Sequence, residues 1–139
     1  LSGESSAVMV ELTASFELES EALDKDHQKM IDQVNAIIKK VDAGSTDDCQ
    51  AQVAEFVALS KRHFAREEAL LVSVNYPDVE KHRKHHLDLN DKLDHMLEFA
   101  KMASENNMAC ESLKKELVYF IMDDVITADL EFKEFLSQT

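Results

Sequence analysis

The sequence contains few residues that interrupt helices. Among its 139 residues there are 2 Gly, 1 Pro and 0 Trp, whereas 45% are hydrophobic. Because Gly and Pro are the residues that most destabilise a helix interior, their scarcity favours an all-α protein. A chain of this length is the size of one domain and can bury a core without disulfides.

Positive charge is also scarce, since 15 Lys and Arg face 28 Asp and Glu and leave a formal net charge of −13. Such a chain repels a phosphate backbone, so we expect no nucleic-acid partner. No apolar run approaches the roughly 20 residues that span a bilayer, and no signal-peptide pattern is present. These absences predict a cytoplasmic protein without membrane insertion.

The pattern of apolar residues divides the chain into an arm and a bundle. Residues 1–18 are mixed and Ser-rich, which predicts an N-terminal arm or linker, and residues 19–139 form the predicted domain. In that domain, apolar residues recur at helical spacing in four stretches separated near Gly44, Pro77 and Asn106. Four amphipathic helices with short connections predict an antiparallel up-down-up-down four-helix bundle.

Two pairs of polar residues lie on the apolar stripes of these helices. His63 and Glu67 are four residues apart, as are His82 and His86, so each pair shares one face of its helix. Leu89 and Leu93, expected in the core, follow His82 and His86 at the heptad interval. The pattern therefore predicts imidazole and carboxylate groups inside the bundle.

Counting residues from the predicted loops at 1.5 Å per residue places candidates from all four helices at one height. They are His27, His63, Glu67, His82, His86, Asp124 and Asp129. Histidines and carboxylates converging in a bundle suit first-row transition metals, and carboxylates that bridge two ions suit a di-iron centre. Zinc accepts the same ligands and stays an alternative.

These motifs resemble those of the hemerythrin family, in particular the bacterial hemerythrin domains. The resemblance covers about residues 16–136, and the stretches that carry it are 23–27, 63–68, 76–78, the His82 and His86 pair, and the segment that ends at Asp129. It implies that His27 and His63 bind one iron and that His82 and His86 bind the other. Glu67 and Asp129 would bridge them together with an oxo or hydroxo group.

The sequence departs from the family pattern at one position. The family has a fifth histidine five residues before the bridging Asp, and here that residue is Asp124. Asp124 would ligate the iron directly or through water, or leave the position to water. A carboxylate in place of imidazole would stabilise ferric iron and lower the reduction potential.

In functional terms, the resemblance implies a non-haem di-iron protein that binds dioxygen or a related small ligand. We expect an oxygen-binding or sensing domain, with a covalently linked signalling domain as a partner in the sensing role. The alternative, favoured by the added carboxylate of Asp124, is an oxidase-like, peroxidase-like or ferroxidase enzyme. Iron storage would need a cage or a partner that the sequence does not indicate.

Other polar residues near the candidates have plainer expected roles. His85 and His95 are predicted on the surface because they point away from His86. Glu68 is predicted to be a solvated charge or an outer partner of a ligand. Cys49 and Cys110 should be free thiols on diagonal helices.

Overall fold

The computed structural model describes residues 18, 20–44, 49–103 and 106–137. Over these residues every regular element is a helix, and the body consists of α1 (Glu21–Asp42), α2 (Cys49–Ser73), α3 (Val79–Ala103) and α4 (Asn107–Tyr119). The chain continues as a π-helical segment (Phe120–Thr127), a 3₁₀ turn (Leu130–Phe132) and α5 (Lys133–Ser137). Both α1 and α3 pack against α2 and α4, which confirms the predicted bundle. None of the described helices is long and apolar enough to cross a membrane.

The helices end where the sequence supplies residues that tolerate positive φ. Gly44 follows α1 with φ 77°, and its N–H donates to the carbonyl of Val41 at 3.0 Å. Asn75 follows α2 with φ 59°, while Tyr76 N–H donates to the Leu71 carbonyl at 2.9 Å. Such bonds satisfy carbonyls at a helix end that would otherwise lack partners. The predicted breaks near Gly44 and Pro77 are therefore right.

Two apolar clusters occupy the interior. The larger fills the space between the four helices, and the smaller lies at the end where α1 begins and α2 ends. The smaller cluster consists of Leu18, Leu23, Leu71, Val79 and Phe132. Leu18, the last residue of the predicted arm, is thus part of the core, while residues 1–17 lie outside the described residues.

A layer of buried polar residues lies between these clusters. On α2, for example, Glu67 stands between Phe64 of the larger cluster and Leu71 of the smaller one. The same sequence of apolar, polar and apolar residues occurs on α1 around His27 and on α3 around His86. Apolar side chains therefore enclose the polar layer from above and below.

The fourth helix is less regular than the apolar spacing predicts. In a continuous α-helix, Leu117 and Ile121 would be followed on the inner face by residue 124. Instead, Val125 and Ile126 are buried and Asp124 is only partly so. A π-helical turn holds one more residue than an α-helical turn, so it shifts the inner face along the sequence.

Candidate metal centre

Six of the seven predicted site residues meet in the polar layer. Their relative exposure is 5% or less, and they form two groups in which four potential ligand atoms lie within 4.8 Å of one another. The first group is His27, His63, Glu67 and Asp129, and the second is Glu67, His82, His86 and Asp129. Each group thus has its own histidine pair, and both groups share the two carboxylates.

The two oxygens of Asp129 face different histidine pairs. Oδ2 lies 2.9 Å from His27 Nε2 and 3.5 Å from His63 Nε2. Oδ1 lies 3.0 Å from His82 Nε2. One carboxylate therefore connects both groups through separate oxygens.

Glu67 divides its oxygens in the same way. Oε2 lies 3.0 Å from His63 Nε2, whereas Oε1 lies 2.5 Å from His82 Nε2 and 3.1 Å from His86 Nε2. This is the arrangement expected of carboxylates that bridge two cations, with one oxygen directed at each.

The buried polar atoms of the first group fit a cation. His63 Nε2 and Glu67 Oε2 face each other at 3.0 Å but have no hydrogen-bond partner, and His27 Nδ1 also has none. When His63 is neutral, as a metal ligand must be, its Nδ1–H donates to Asp26 and its Nε2 lone pair faces the Glu67 carboxylate. A metal ion between His63 Nε2 and Glu67 Oε2 would remove the cost of burying these two atoms unpaired. The mixture of imidazole and carboxylate suits iron or zinc.

A buried carboxylate outside the two groups orients His63, one of the candidate ligands. His63 Nδ1 donates to Asp26 Oδ2 at 3.1 Å, and Arg66 donates to Asp26 Oδ1 at 2.8 Å. The hydrogen bond from His63 holds the pKa of Asp26 below its usual value, although burial opposes this. Carboxylates in this position fix the ring of a ligating histidine and increase its basicity. The sequence interpretation missed Asp26 and Arg66, although Asp26 adjoins His27.

Glu68 has the corresponding position on His86. His86 Nδ1 donates to Glu68 Oε2 at 2.6 Å, and Arg83 Nε lies 3.3 Å from Glu68 Oε1. The ring of Phe64 stacks on His86 with centroids 4.2 Å apart. Of the two roles predicted for Glu68, the structure thus shows that of an outer partner. Phe64 and Glu68 together leave the His86 ring little freedom.

Without a cation, the surroundings of His63 and His82 favour the protonated rings. Burial disfavours a charged His82, but its hydrogen bonds to Asp129 and Glu67 outweigh burial and raise its pKa to about 10. Burial likewise opposes charge on His63, whose pKa is nevertheless raised by Asp129, Asp26 and Glu67. Because a metal ligand must be a neutral imidazole, cation binding has to release these protons.

The structure does not bring Asp124, the seventh predicted residue, into either group. Its Oδ2 accepts a hydrogen bond from Lys92 Nζ at 2.7 Å, and its carbonyl accepts one from His85 Nε2 at 2.8 Å. His85 is therefore half-buried between α3 and the π-helical segment, so its predicted surface position is wrong. His95 is exposed as predicted, and both cysteines are free.

The fold and the donor set define a class of protein: a helical bundle with a buried metal-binding centre of histidines and carboxylates. A family model, the hemerythrin HHE cation binding domain, matches residues 18–128. The matched residues contain His27, both pairs from α2 and α3, and end one residue before Asp129. The chain belongs to this family.

Proposed function

We propose that the chain binds two iron ions and takes up dioxygen or a related small ligand there, as an oxygen-binding or sensing domain. The observation that carries the proposal is the division of the Glu67 and Asp129 oxygens between two histidine pairs. Such carboxylates hold two ions close together. Membership of the hemerythrin HHE family supports the choice of iron over zinc.

The protein residues have three tasks in this function. The Glu67 and Asp129 carboxylates offset the positive charge of the ions, and the outer carboxylates of Asp26 and Glu68 aim two of the imidazoles. The apolar clusters on both sides limit the access of water, which slows loss of the ions and side reactions. A bound iron pair would supply the electrons for dioxygen that these side chains lack.

Metal analysis combined with optical spectra of the oxidised and reduced protein tests the proposal. We expect about two irons per chain and a reversible spectral change when oxygen is added to and removed from the reduced protein. His82→Ala should lose at least one ion. His95→Ala is the matched control, because His95 lies on the same helix and is exposed. One ion per chain, or zinc alone after loading with both metals, would contradict the proposal.

The enzymatic alternative depends on Asp124 as an added carboxylate ligand. Because Lys92 holds that carboxylate, no observation favours oxidase-like chemistry over ligand binding. Steady-state turnover of ferrous iron or peroxide by the loaded protein separates the two functions. We expect little turnover and a stable oxygenated form.

A further inference from the structure

Two residues of α3 hold Asp124 in place. Lys92 binds its carboxylate at 2.7 Å, and His85 binds its carbonyl at 2.8 Å. The same His85 ring lies close to two candidate ligands, because its centroid is 6.0 Å from that of His82 and 6.3 Å from that of His86. Asp124 therefore lies beside the second group without belonging to it.

The Lys92–Asp124 ion pair is well suited to restrain the Asp124 side chain outside the second group. The Asp124 side chain is 13% exposed, and that of Lys92 is 43% exposed, so solvent weakens the pair only in part. The Lys92 ammonium also lies 5.2 Å from the centre of the Tyr119 ring, a cation–π distance. The hydrogen bond to Asp124 raises the pKa of Lys92, so the lysine stays charged at neutral pH. The pair neutralises the negative charge that a free Asp124 would add.

The two groups are consequently equal in protein ligands. Each has two imidazoles and shares the same two carboxylates. Iron in such sites takes up to six ligands, and four donors leave positions open for exogenous molecules. A fifth protein ligand in the second group would remove this equality.

We propose that the Lys92–Asp124 ion pair keeps a coordination position open at the ion between His82 and His86, so that this ion binds a small anion or diatomic molecule as the other ion does. The inference rests on the proposed function. It makes Lys92 a positioning residue that acts by restraining Asp124. When Lys92 is removed, we expect the freed Asp124 carboxylate to turn toward the second group and occupy the open position.

Azide titration of the oxidised, iron-loaded protein, with metal analysis of the same samples, provides the test. We expect the wild type to bind two azides per iron pair and Lys92→Met to bind one, with an altered azide absorption band. The double variant K92M/D124N, in which an amide replaces the freed carboxylate, should bind two again. Lys114→Met is the matched control, because it breaks a similar ion pair, with Asp42 at 2.6 Å, far along the bundle.

The outcomes separate this inference from the proposed function. Fewer than two irons in the wild type would contradict the proposed function. Two irons with one azide would overturn the open position while leaving that function intact. Two azides in both the wild type and Lys92→Met would overturn the role of Lys92. Loss of an azide in Lys114→Met as well would also overturn it, because any broken ion pair would then have the same effect.

Discussion

The two groups of the candidate metal centre, called here its first and second halves, each have two histidines and share two carboxylates, but their surroundings differ. His27 and His63, in the first half, have relative exposures of 0% and 1%, whereas His82 and His86, in the second, have 5% and 3%. The outer carboxylates differ more, since the side chain of Asp26 is 4% exposed and that of Glu68 is 25% exposed. The second half also borders a cleft of about 330 Å³ lined by Glu68, Arg83 and His86.

This difference in burial leads us to expect that the two histidine pairs behave differently. In the first half the carboxylates that contact His63 are buried, so water does not readily replace them. The second half adjoins solvent, and its outer carboxylate exchanges hydrogen bonds with water more readily. We therefore expect protons and small ligands to exchange faster at the second half.

The largest expected effect comes from the shared carboxylate. Glu67→Gln removes a charge that both groups use, so we expect the variant to lose both ions in metal analysis. Glu68→Gln changes the adjacent residue, which contacts only His86 among the ligands, and should retain both. Retention of one tightly bound ion by Glu67→Gln would show that the two halves are independent.

The outer carboxylates test the difference in burial directly. Asp26→Asn removes the buried negative charge that accepts hydrogen bonds from His63 and Arg66. Loss of such an outer partner weakens metal binding about 10–100-fold. Glu68→Gln should weaken it less than tenfold, because water reaches that position. Competition with a chelator measures both affinities. Equal losses would remove the distinction between the halves.

The sequence predicted the six converging residues because helical periodicity fixes faces and helix length fixes height. It did not predict the surroundings of these residues. Asp26 and Arg66 lie on adjoining helices and meet only when α1 packs on α2. Asp124 lies outside both groups for a different reason, since the count along the sequence assumed a regular helix where the chain forms a π-helical segment.

A smaller effect concerns protons in the metal-free protein. The folded pKa of His82 is about 10 and its ordinary value is 6.5, so the folded state favours the protonated ring. The corresponding stability is fully present below pH 6.5 and is lost as the pH rises toward 10. We expect the melting temperature to fall as the pH rises from 6.5 toward 10. His82→Gln should reduce this slope but not abolish it, because His63 in the first half contributes too.

His95→Gln is the control for that experiment and should keep the wild-type slope, since His95 is exposed. The metal-bound protein should lack the slope between these pH values, because its imidazoles are already neutral. An unchanged slope in His82→Gln would contradict the assignment of the protons to the centre.

The smallest expected effect concerns packing in the second half. Phe64 is 4% exposed and its ring lies nearly parallel to that of His86, at 15°. Phe64→Leu removes this stacking and leaves a small cavity, which should lower the free energy of unfolding of the metal-free protein by about 1–2 kcal/mol. Leu87→Ala, at a position 66% exposed, should change it by less than about 0.5 kcal/mol. Iron loss from the loaded variant gives a second measurement. If Phe64→Leu speeds the loss of iron from only one of the two positions, the Phe64 ring restrains His86 itself. The second half would then owe part of its stability to packing rather than to its outer carboxylate.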